Sequence, residues 1–310
     1  MVYCVQRALH LVVLCIGFGA LSAAAPTFAE PVTQDAVPRG AVRLVEHRSL
    51  CAPGQKWSNN SEHPVGAAFF VEDWQAGEVQ LYAVTARHVV EDLAVLYATV
   101  RLVSEQQPTV VLQLPREGWI FHPNSGGGEE FPVDVAVIKL AAQKGVSVFV
   151  YCPARGRCQG ADFRGEPLNN QLESAPRVMQ RAVFFGFLAM EADAGAAMPF
   201  ARAGIVALQT PQSALRIDDK PLADRGIYLL DARNFDRGSG APVIAEPADA
   251  EATVQLQGLV TGGVAAAGDF TLVTPVERIK EAIQHARTGS GSTTGVWQDS
   301  APQSVRRCEE

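Results

Sequence analysis

The chain has 310 residues, of which 47% are hydrophobic, and a formal net charge of −7. This length is enough for one large domain or for two lobes of about 100–150 residues each, with a substantial core. An acidic chain without a basic cluster argues against nucleic acid or an anionic membrane as the main partner.

The first 29 residues have the pattern of a secretory signal. Arg7 is their only charged side chain, an apolar run over 8–25 follows it, and small residues stand at Thr27 and Ala29. The alternative is a membrane anchor, but an anchor needs about 20 apolar residues and this run is shorter. We expect a signal peptide over 1–29 and an exported chain, periplasmic or secreted, with no stable membrane anchor. Loss of Arg7 changes its formal charge from −7 to −8.

Residues 30–63 are mixed and rich in Pro and Asn, and we expect them to form an N-terminal arm. Short apolar runs rich in β-branched residues then recur between turn signals, and they are too short for most helices. The first two, GAAFFV (66–71) and VQLYAVTA (79–86), flank a turn-like segment and predict a hairpin. The first set continues with ATVRLV (98–103), TVVLQLP (109–115) and DVAVIKL (134–140).

Residues 143–178 contain few such runs and are expected to connect two halves of the fold. Two sets of strand patterns around a connector predict an all-β fold of two antiparallel six-stranded barrels, over about 64–142 and 179–275, and not βαβ units. The second set comprises AVFFGFL (182–188), FARAGIVALQ (200–209), GIYLLDA (226–232), GAPVI (240–244), VQLQGLV (254–260) and DFTLVTP (269–275).

One segment has a clear helix pattern, PVERIKEAIQHA over 275–286. Pro275 stands at its start, apolar residues recur at helical spacing, and Gly289 lies just beyond its end. The segment TGSGSTTG that follows has the composition of a flexible linker, and we expect a flexible tail over 287–310.

The stretch FDRGSGAPVI, residues 235–244, places Ser239 between two glycines. A Gly-Ser-Gly turn before a strand is common in β proteins, so Ser239 is either a turn serine or an exposed nucleophile. A serine hydroxyl is a poor nucleophile at neutral pH and needs an adjacent base. The choice therefore depends on whether a base and an orienting acid lie elsewhere in the chain.

The first strand set offers candidates for both partners. AVTARHVVED places His88 just after a strand, and VDVAVIKL places Asp134 at the head of another. The chain order His88, Asp134, Ser239 is that of the chymotrypsin-type triad. In such a triad the histidine takes the serine proton and returns it to the leaving amine, while the aspartate holds the imidazole in one tautomer.

These motifs resemble those of the trypsin-like serine peptidases with the chymotrypsin double-barrel fold, especially their bacterial exported branch. VTARHVV is similar to the family's Thr-Ala-x-His-Val segment, DVAVIKL to its Asp-Ile-Ala-Leu segment and RGSGAPV to its Gly-x-Ser-Gly-Gly-Pro segment. LQGLVTGG resembles the strand beyond the nucleophile, and VTPVERIKEAI the closing strand and helix. The resemblance covers about residues 64–286. It implies a serine endopeptidase that cuts proteins or peptides through an acyl-enzyme and needs no cofactor.

The resemblance also implies further site residues. The backbone N–H groups of Arg237 and Ser239 would form the oxyanion hole, and Thr261, Gly262 and Gly263 would line the edge where a substrate peptide pairs as an extra strand. The chain departs from the family at Gly238, where zymogen-type relatives have Asp, and at Arg237, where the family usually has glycine. Glycine permits unusual φ values and close approach of substrate, so the arginine puts the oxyanion geometry in question.

Two other functions stay open. The same fold could be a protein-binding pseudoenzyme, with Arg237 spoiling the oxyanion hole, or an ester hydrolase acting on small substrates. An α/β-hydrolase is disfavoured, because that class places Ser before Asp and His and its Gly-x-Ser-x-Gly elbow is missing here.

A second serine, Ser125 in HPNSGGGEE, lies in an Asn-Ser-Gly-Gly context that is similar to a nucleophile motif. It precedes Asp134 and no strand pattern follows it. We therefore expect a surface loop, with His122, three residues upstream, equally uninvolved in catalysis.

Four cysteines remain after removal of the signal: Cys51, Cys152, Cys158 and Cys308. An even number in an exported protein indicates disulfides, with three possible pairings. The segment CPARGRC has no second Cys or His pair at zinc-finger spacing, which argues against a zinc site.

We expect Cys152 and Cys158 to form a disulfide in the exported protein, because they are close in sequence and lie in a connector with little core to order it. Closing so small a loop contributes roughly 2–2.5 kcal/mol in the chain-entropy picture. Cys51 with Cys308 is the pairing left over. Mass mapping of non-reduced peptides is the test, and free thiols at 152 and 158 in oxidised, exported material would refute the first pairing.

Overall fold

The structure is a computed structural model, and it describes residues 41–47, 62–75, 78–93, 95–101, 109–125, 133–141, 177–187, 200–209, 216–217, 220–221, 227–235, 237–245, 255–264, 269–289 and 294–298. The predicted signal peptide, most of the predicted connector and the cysteines Cys51, Cys152, Cys158 and Cys308 lie outside these residues. Within the described segments, no helix has both the length and the apolar character that crossing a membrane requires.

Eight antiparallel strands form one sheet in the first half of the fold, in the order β16-β5-β4-β1-β2-β3-β7-β6. Buried apolar side chains such as Phe69, Leu112 and Ile138 form its core. The strands are β1 (Ala41–His47), β2 (Glu62–Gln75), β3 (Glu78–Thr85), β4 (Val95–Arg101), β5 (Thr109–Pro115), β6 (Trp119–Phe121), β7 (Ala136–Lys139) and β16 (Val296–Gln298).

The second half is a closed antiparallel barrel of six strands in the order β12-β15-β14-β13-β8-β9. Phe184, Tyr228 and Val260 are among the buried side chains that fill it. The strands are β8 (Arg181–Gly186), β9 (Phe200–Gln209), β12 (Tyr228–Asp231), β13 (Pro242–Ala245), β14 (Gln255–Val264) and β15 (Phe270–Pro275), with a small separate hairpin of β10 (Arg216–Ile217) and β11 (Lys220–Pro221).

The predicted all-β, chymotrypsin-like architecture with one C-terminal helix is confirmed. The first half differs from the expected six-stranded barrel, since its sheet gains strands from segments predicted as arm and tail. β1 pairs with β2 and β4, and β16 pairs with β5. Neither strand has an obvious sequence signal, because β1 follows a mixed segment and β16 has only three residues.

Helix α2 (Val276–Thr288) begins directly after Pro275, as its sequence pattern predicts, and ends before Gly289. Val276, Ile279 and Ile283 are buried at helical spacing and belong to the core of the first half. The helix contacts β6 and β7 of the first sheet and also β14 and β15 of the barrel, so it bridges the two halves.

The end of α2 is fixed by an ion pair. Arg287 donates two hydrogen bonds to the carboxylate of Asp73 on β2, one from Nε to Oδ2 at 2.6 Å and one from Nη2 to Oδ1. Asp73 is fully buried, and a buried carboxylate that loses such a partner is left as an uncompensated charge. The pair therefore ties the helix to the first sheet where the chain turns towards β16.

Strand β16 is held mainly through Trp297. The side chain is 7% exposed, its ring centroid lies 6.1 Å from that of Phe70, and its Nε1–H donates to the carbonyl of Ala141 at 2.8 Å. The hydrogen bonds of this strand to β5 are thus backed by a buried aromatic contact.

We expect Trp297→Ala to lower the free energy of unfolding by about 3 kcal/mol or more, because it empties a buried aromatic site and leaves the Ala141 carbonyl without its donor. Val296→Ala is the matched control: Val296 is 48% exposed, and its truncation should change stability by less than about 0.5 kcal/mol. Denaturant unfolding of the three proteins measures both effects. Equal, small losses would show that β16 contributes nothing to the stability of the first half.

Candidate active site

His88 lies in the single turn of helix α1 (Arg87–Val90), directly after strand β3. Val89 and Val90 of this turn are buried in the core of the first half. The His88 side chain itself is 45% exposed. The apolar residues therefore fix the turn to the sheet while the imidazole stays accessible.

Asp134 stands just before β7, which is paired with β3 so that Ala136 lies opposite Thr85. This pairing brings Asp134 beside His88, although 46 residues separate them in sequence. Its Oδ2 lies 2.6 Å from Nδ1 of His88, and its Oδ1 accepts a hydrogen bond from the His88 backbone N–H at 3.0 Å. Both carboxylate oxygens thus hold the same histidine.

This contact sets the chemistry of the imidazole. An ionised carboxylate only accepts hydrogen bonds, so Nδ1 of the neutral ring carries the proton and Nε2 keeps its lone pair. The hydrogen bond to Asp134 is the main cause that raises the pKa of His88 above its ordinary value of 6.5. Burial opposes this shift, and the charges of Asp134 and Glu91 add to it. The arrangement suits a general base with Nε2 as the accepting atom.

Ser239 lies in the turn before β13, and its backbone is hydrogen-bonded to the first sheet. Its carbonyl accepts from the Ala67 N–H on β2 at 2.9 Å. The Ala67 carbonyl accepts in turn from the Thr85 hydroxyl at 2.7 Å, and Thr85 lies three residues before His88. These two hydrogen bonds bring the Ser239 backbone and the His88 turn to the same region of the fold.

Two glycines make this close approach possible. Gly240 has a φ of +87°, and a Cβ there would collide with the Ala67 carbonyl oxygen and the Thr85 hydroxyl. A Cβ at Gly66 would lie 2.9 Å from the Ser239 carbonyl oxygen. Because a backbone oxygen of the opposing segment is among the colliding atoms in both cases, a larger residue at either position would force the serine turn away from the first sheet.

Arg237 adopts a φ of +62° at the position where the resembled family has glycine. This left-handed conformation costs a residue with a Cβ about 1 kcal/mol. Among the described residues, the N–H groups of Arg237 and Ser239 donate no hydrogen bond, whereas Gly238 between them donates to the Phe235 carbonyl at 3.0 Å. The loop therefore keeps a turn that glycine would make at less cost.

Thr261, Gly262 and Gly263 lie near the end of β14 (Gln255–Val264), which pairs with β15 along this part. Beyond Val260, the side of β14 that faces β13 has no strand partner in the part of the chain that the structure describes.

The second serine motif lies in a turn beside the segment that carries Asp134, since the Asn124 carbonyl accepts from the Val133 N–H at 3.0 Å. Ser125 ends a 3-10 turn that follows β6. His122 is 2% exposed, its Nε2 lies 2.7 Å from Oε2 of Glu281 on α2, and its Nδ1 accepts from the Asn124 N–H at 3.1 Å. His122 therefore joins this turn to the C-terminal helix, in line with the expectation that it takes no part in catalysis.

Sequence reasoning missed the side chains that support the serine loop. Oδ1 of Asn234 accepts from the Phe235 N–H at 2.8 Å, and the same oxygen lies against Gly238. Asparagine is common in turns, so its presence in the sequence carries no signal of this role. Arg202 also binds the loop, although it lies 31 residues before Arg233, the first loop residue that it contacts. Within the described segments, no group of three or more His, Cys, Asp or Glu side chains could hold a metal ion.

No protein-family model matches the chain, and no curated protein matches it significantly. Solved structures do resemble it. A thermostable serine protease, AL20, from an extremophilic microorganism is 10% identical with a TM-score of 0.48, and the match covers 82% of this chain and all of that one. A serine endoprotease from Yersinia pestis is 14% identical with a TM-score of 0.47, over 82% of this chain and 66% of that one.

The protease domain of MamO from Magnetospirillum magneticum is 16% identical with a TM-score of 0.44, over 81% of this chain and 97% of that one. At such identities and TM-scores, the similarity says nothing about the activity of this chain. What the site can do follows from its own contacts.

We expect peptide hydrolysis to rise with pH along a limb centred above 6.5, because Nε2 of His88 accepts a proton only when the ring is neutral. Asp134→Asn replaces the carboxylate, whose hydrogen bond is the main cause of the raised pKa, with a neutral amide, so the limb of its residual activity should move to lower pH. Profiles of kcat/KM against pH for both proteins measure this shift. Coincident limbs would contradict the coupling of the two residues.

The contribution of the His88–Asp134 pair to the free energy of unfolding should fall over the pH range in which activity rises. Since the folded pKa of His88 lies above 6.5, the stabilisation from this pair is fully present below pH 6.5 and is lost as the pH rises through the folded pKa. Unfolding of wild type and of the His88→Ala variant across this window checks the sign. The difference in the free energy of unfolding between wild type and His88→Ala should become smaller as the pH rises.

Proposed function

We propose that the chain is an exported serine endopeptidase that hydrolyses peptide bonds with His88, Asp134 and Ser239 as its catalytic residues. The observation that carries the proposal is the double contact of the Asp134 carboxylate with His88, beside a serine turn that is hydrogen-bonded to the same sheet. The carboxylate holds the ring with Nε2 free to act, as the base of an acyl-transfer mechanism requires.

In this mechanism the Ser239 hydroxyl attacks the substrate carbonyl carbon while Nε2 of His88 takes the hydroxyl proton. The charged imidazole is stabilised by Asp134 and returns the proton to the leaving amine, which breaks the peptide bond and leaves an acyl-enzyme. Water then attacks the ester with His88 as base again, and the acid product leaves. The chemistry requires no cofactor.

The backbone N–H groups of Arg237 and Ser239 would bind the oxyanion that forms in each half of the reaction. Their lack of a donor role in the described structure supports this part of the proposal. One such donor typically contributes about 3–4 kcal/mol to transition-state stabilisation. A protein or peptide substrate would pair with the open side of residues 261–263, which suits an extended chain better than nucleic acid.

A second function, a binding module without catalysis, is favoured by one observation. Arg237 carries an exposed side chain where close approach of substrate would be easier with glycine, and it holds its φ of +62° at a cost. If the loop left this conformation, the fold would still offer an open strand edge for a protein partner. A fluorophosphonate probe separates the two functions, because it labels Ser239 only when the base and oxyanion hole operate.

We expect Ser239→Ala and His88→Ala each to remove nearly all peptide hydrolysis, and the double variant to be little worse than either single one, because the base has no role without the nucleophile. Asp134→Asn should lower kcat by about 10⁴-fold, since the amide favours the wrong tautomer. Ser125→Ala is the matched control and should keep full activity. Hydrolysis of a peptide library by wild type and the five purified variants measures these changes.

Equal hydrolysis by wild type and Ser239→Ala, in samples that unfold at the same temperature, would disprove the mechanism. Labelling at Ser239 together with cleavage of small esters but of no peptide would indicate an ester hydrolase. If the probe does not label Ser239 and neither peptides nor esters are hydrolysed, the binding module is indicated.

A further inference from the structure

The loop that carries Ser239 is held at its start by Arg202 of strand β9. Nη1 of the guanidinium donates to the carbonyl oxygens of both Arg233 and Asn234, the latter at 3.1 Å. The same group stacks on Phe235, with its central carbon 4.3 Å from the ring centroid. One side chain therefore holds three consecutive residues of the loop.

Phe235 forms the second half of this anchor. The side chain is 6% exposed and meets Phe184 edge to face, with ring centroids 5.5 Å apart. It fits so closely against Gly186 that a Cβ there would come within 2.6 Å of the ring. Phe184 and Arg202 lie opposite each other on paired strands, so the ring is held between the barrel wall and the guanidinium.

Arg202 has no carboxylate partner among the described residues, and its hydrogen bonds go to the loop instead. Hydrogen bonds from a charged donor are stronger than those between neutral groups. Loss of this side chain would therefore remove the donors of two loop carbonyls and the cover of the Phe235 ring at once.

The conformation that depends on this anchor lies just beyond it. Arg237, two residues after Phe235, is in the left-handed region, and the N–H of Gly238 is bonded back to the Phe235 carbonyl. A residue with a Cβ stays in that region only while its surroundings hold it there. If residues 233–235 were released, Arg237 could leave this conformation and its N–H could change direction.

We propose that Arg202 is a positioning residue for the oxyanion hole. It fixes residues 233–235, and through them it keeps Arg237 in the left-handed conformation, so that the N–H groups of Arg237 and Ser239 can bind the same oxyanion. This inference rests on the proposed peptidase function. It also gives a physical reason why an arginine can occupy a position where the resembled family has glycine.

A double-mutant cycle in the full-length protein tests this role. Arg202→Met keeps the aliphatic stem but removes the donors, whereas Arg237→Gly removes the need to hold a residue with a Cβ at positive φ. We expect Arg202→Met to lower kcat about tenfold or more with little change in KM, because only transition-state stabilisation is lost. In the Arg237→Gly background the same change should cost much less.

Two further variants serve as controls. Arg202→Lys keeps a charged donor but not the planar stacking group, and it should recover part of the lost kcat. Arg116→Met removes an exposed arginine of the first half and should leave kcat and thermal unfolding unchanged. A loss of kcat that is equal in both backgrounds, or a loss confined to KM, would overturn the proposal.

Hydrogen exchange of the backbone amides over 235–241 gives a readout that does not need activity. Arg202→Met should speed exchange in this segment, and Arg116→Met should not. A wild type that neither hydrolyses peptides nor labels at Ser239 contradicts the proposed function and leaves exchange to decide about Arg202. Faster exchange then supports the anchor, and unchanged exchange overturns it.

Discussion

The hydrogen bond from the Ala67 N–H to the Ser239 carbonyl is the contact on which the arrangement of the site depends. It joins the turn before β13 of the barrel to β2 of the first sheet. The backbone atoms of these two segments must therefore approach each other with no side chain between them. Gly66 and Gly240 make that possible, since a Cβ at either position would meet the opposing backbone. The distance between the serine turn and the histidine turn is thus set by backbone contacts.

In the first sheet, the pairing of β3 with β7 brings His88 and Asp134 together. His88 follows one strand and Asp134 precedes the other, so antiparallel pairing brings them together from positions distant in sequence. The sheet and the buried valines of α1 hold the backbone, while the imidazole remains partly exposed. Rigidity of the support and accessibility of the ring are compatible because different residues provide them.

Sequence reasoning anticipated the features that local patterns encode. The strand sets, helix α2 and the order of His88, Asp134 and Ser239 could be read from apolar periodicity and short motifs. Glycine is usual in the resembled family where this chain has Arg237, and the sequence left open whether the arginine adopts the positive φ that the structure shows. The anchor on Phe235 and strand β16 were not anticipated, since Arg202 and Trp297 act through contacts with residues far away in sequence. No local pattern encodes such contacts.

Strand β16 has a consequence for how the chain reaches its final state. It covers part of the outer edge of β5, whose sequence TVVLQLP is apolar, rich in β-branched residues and uncharged. An open edge of this composition readily pairs with other chains. The strand that covers it lies far downstream of β5 in the sequence, so the two strands cannot pair until all the residues between them have been synthesised. The sheet of the first half therefore completes its hydrogen bonds only after the barrel strands have been made, and this edge of β5 can pair with other chains until then.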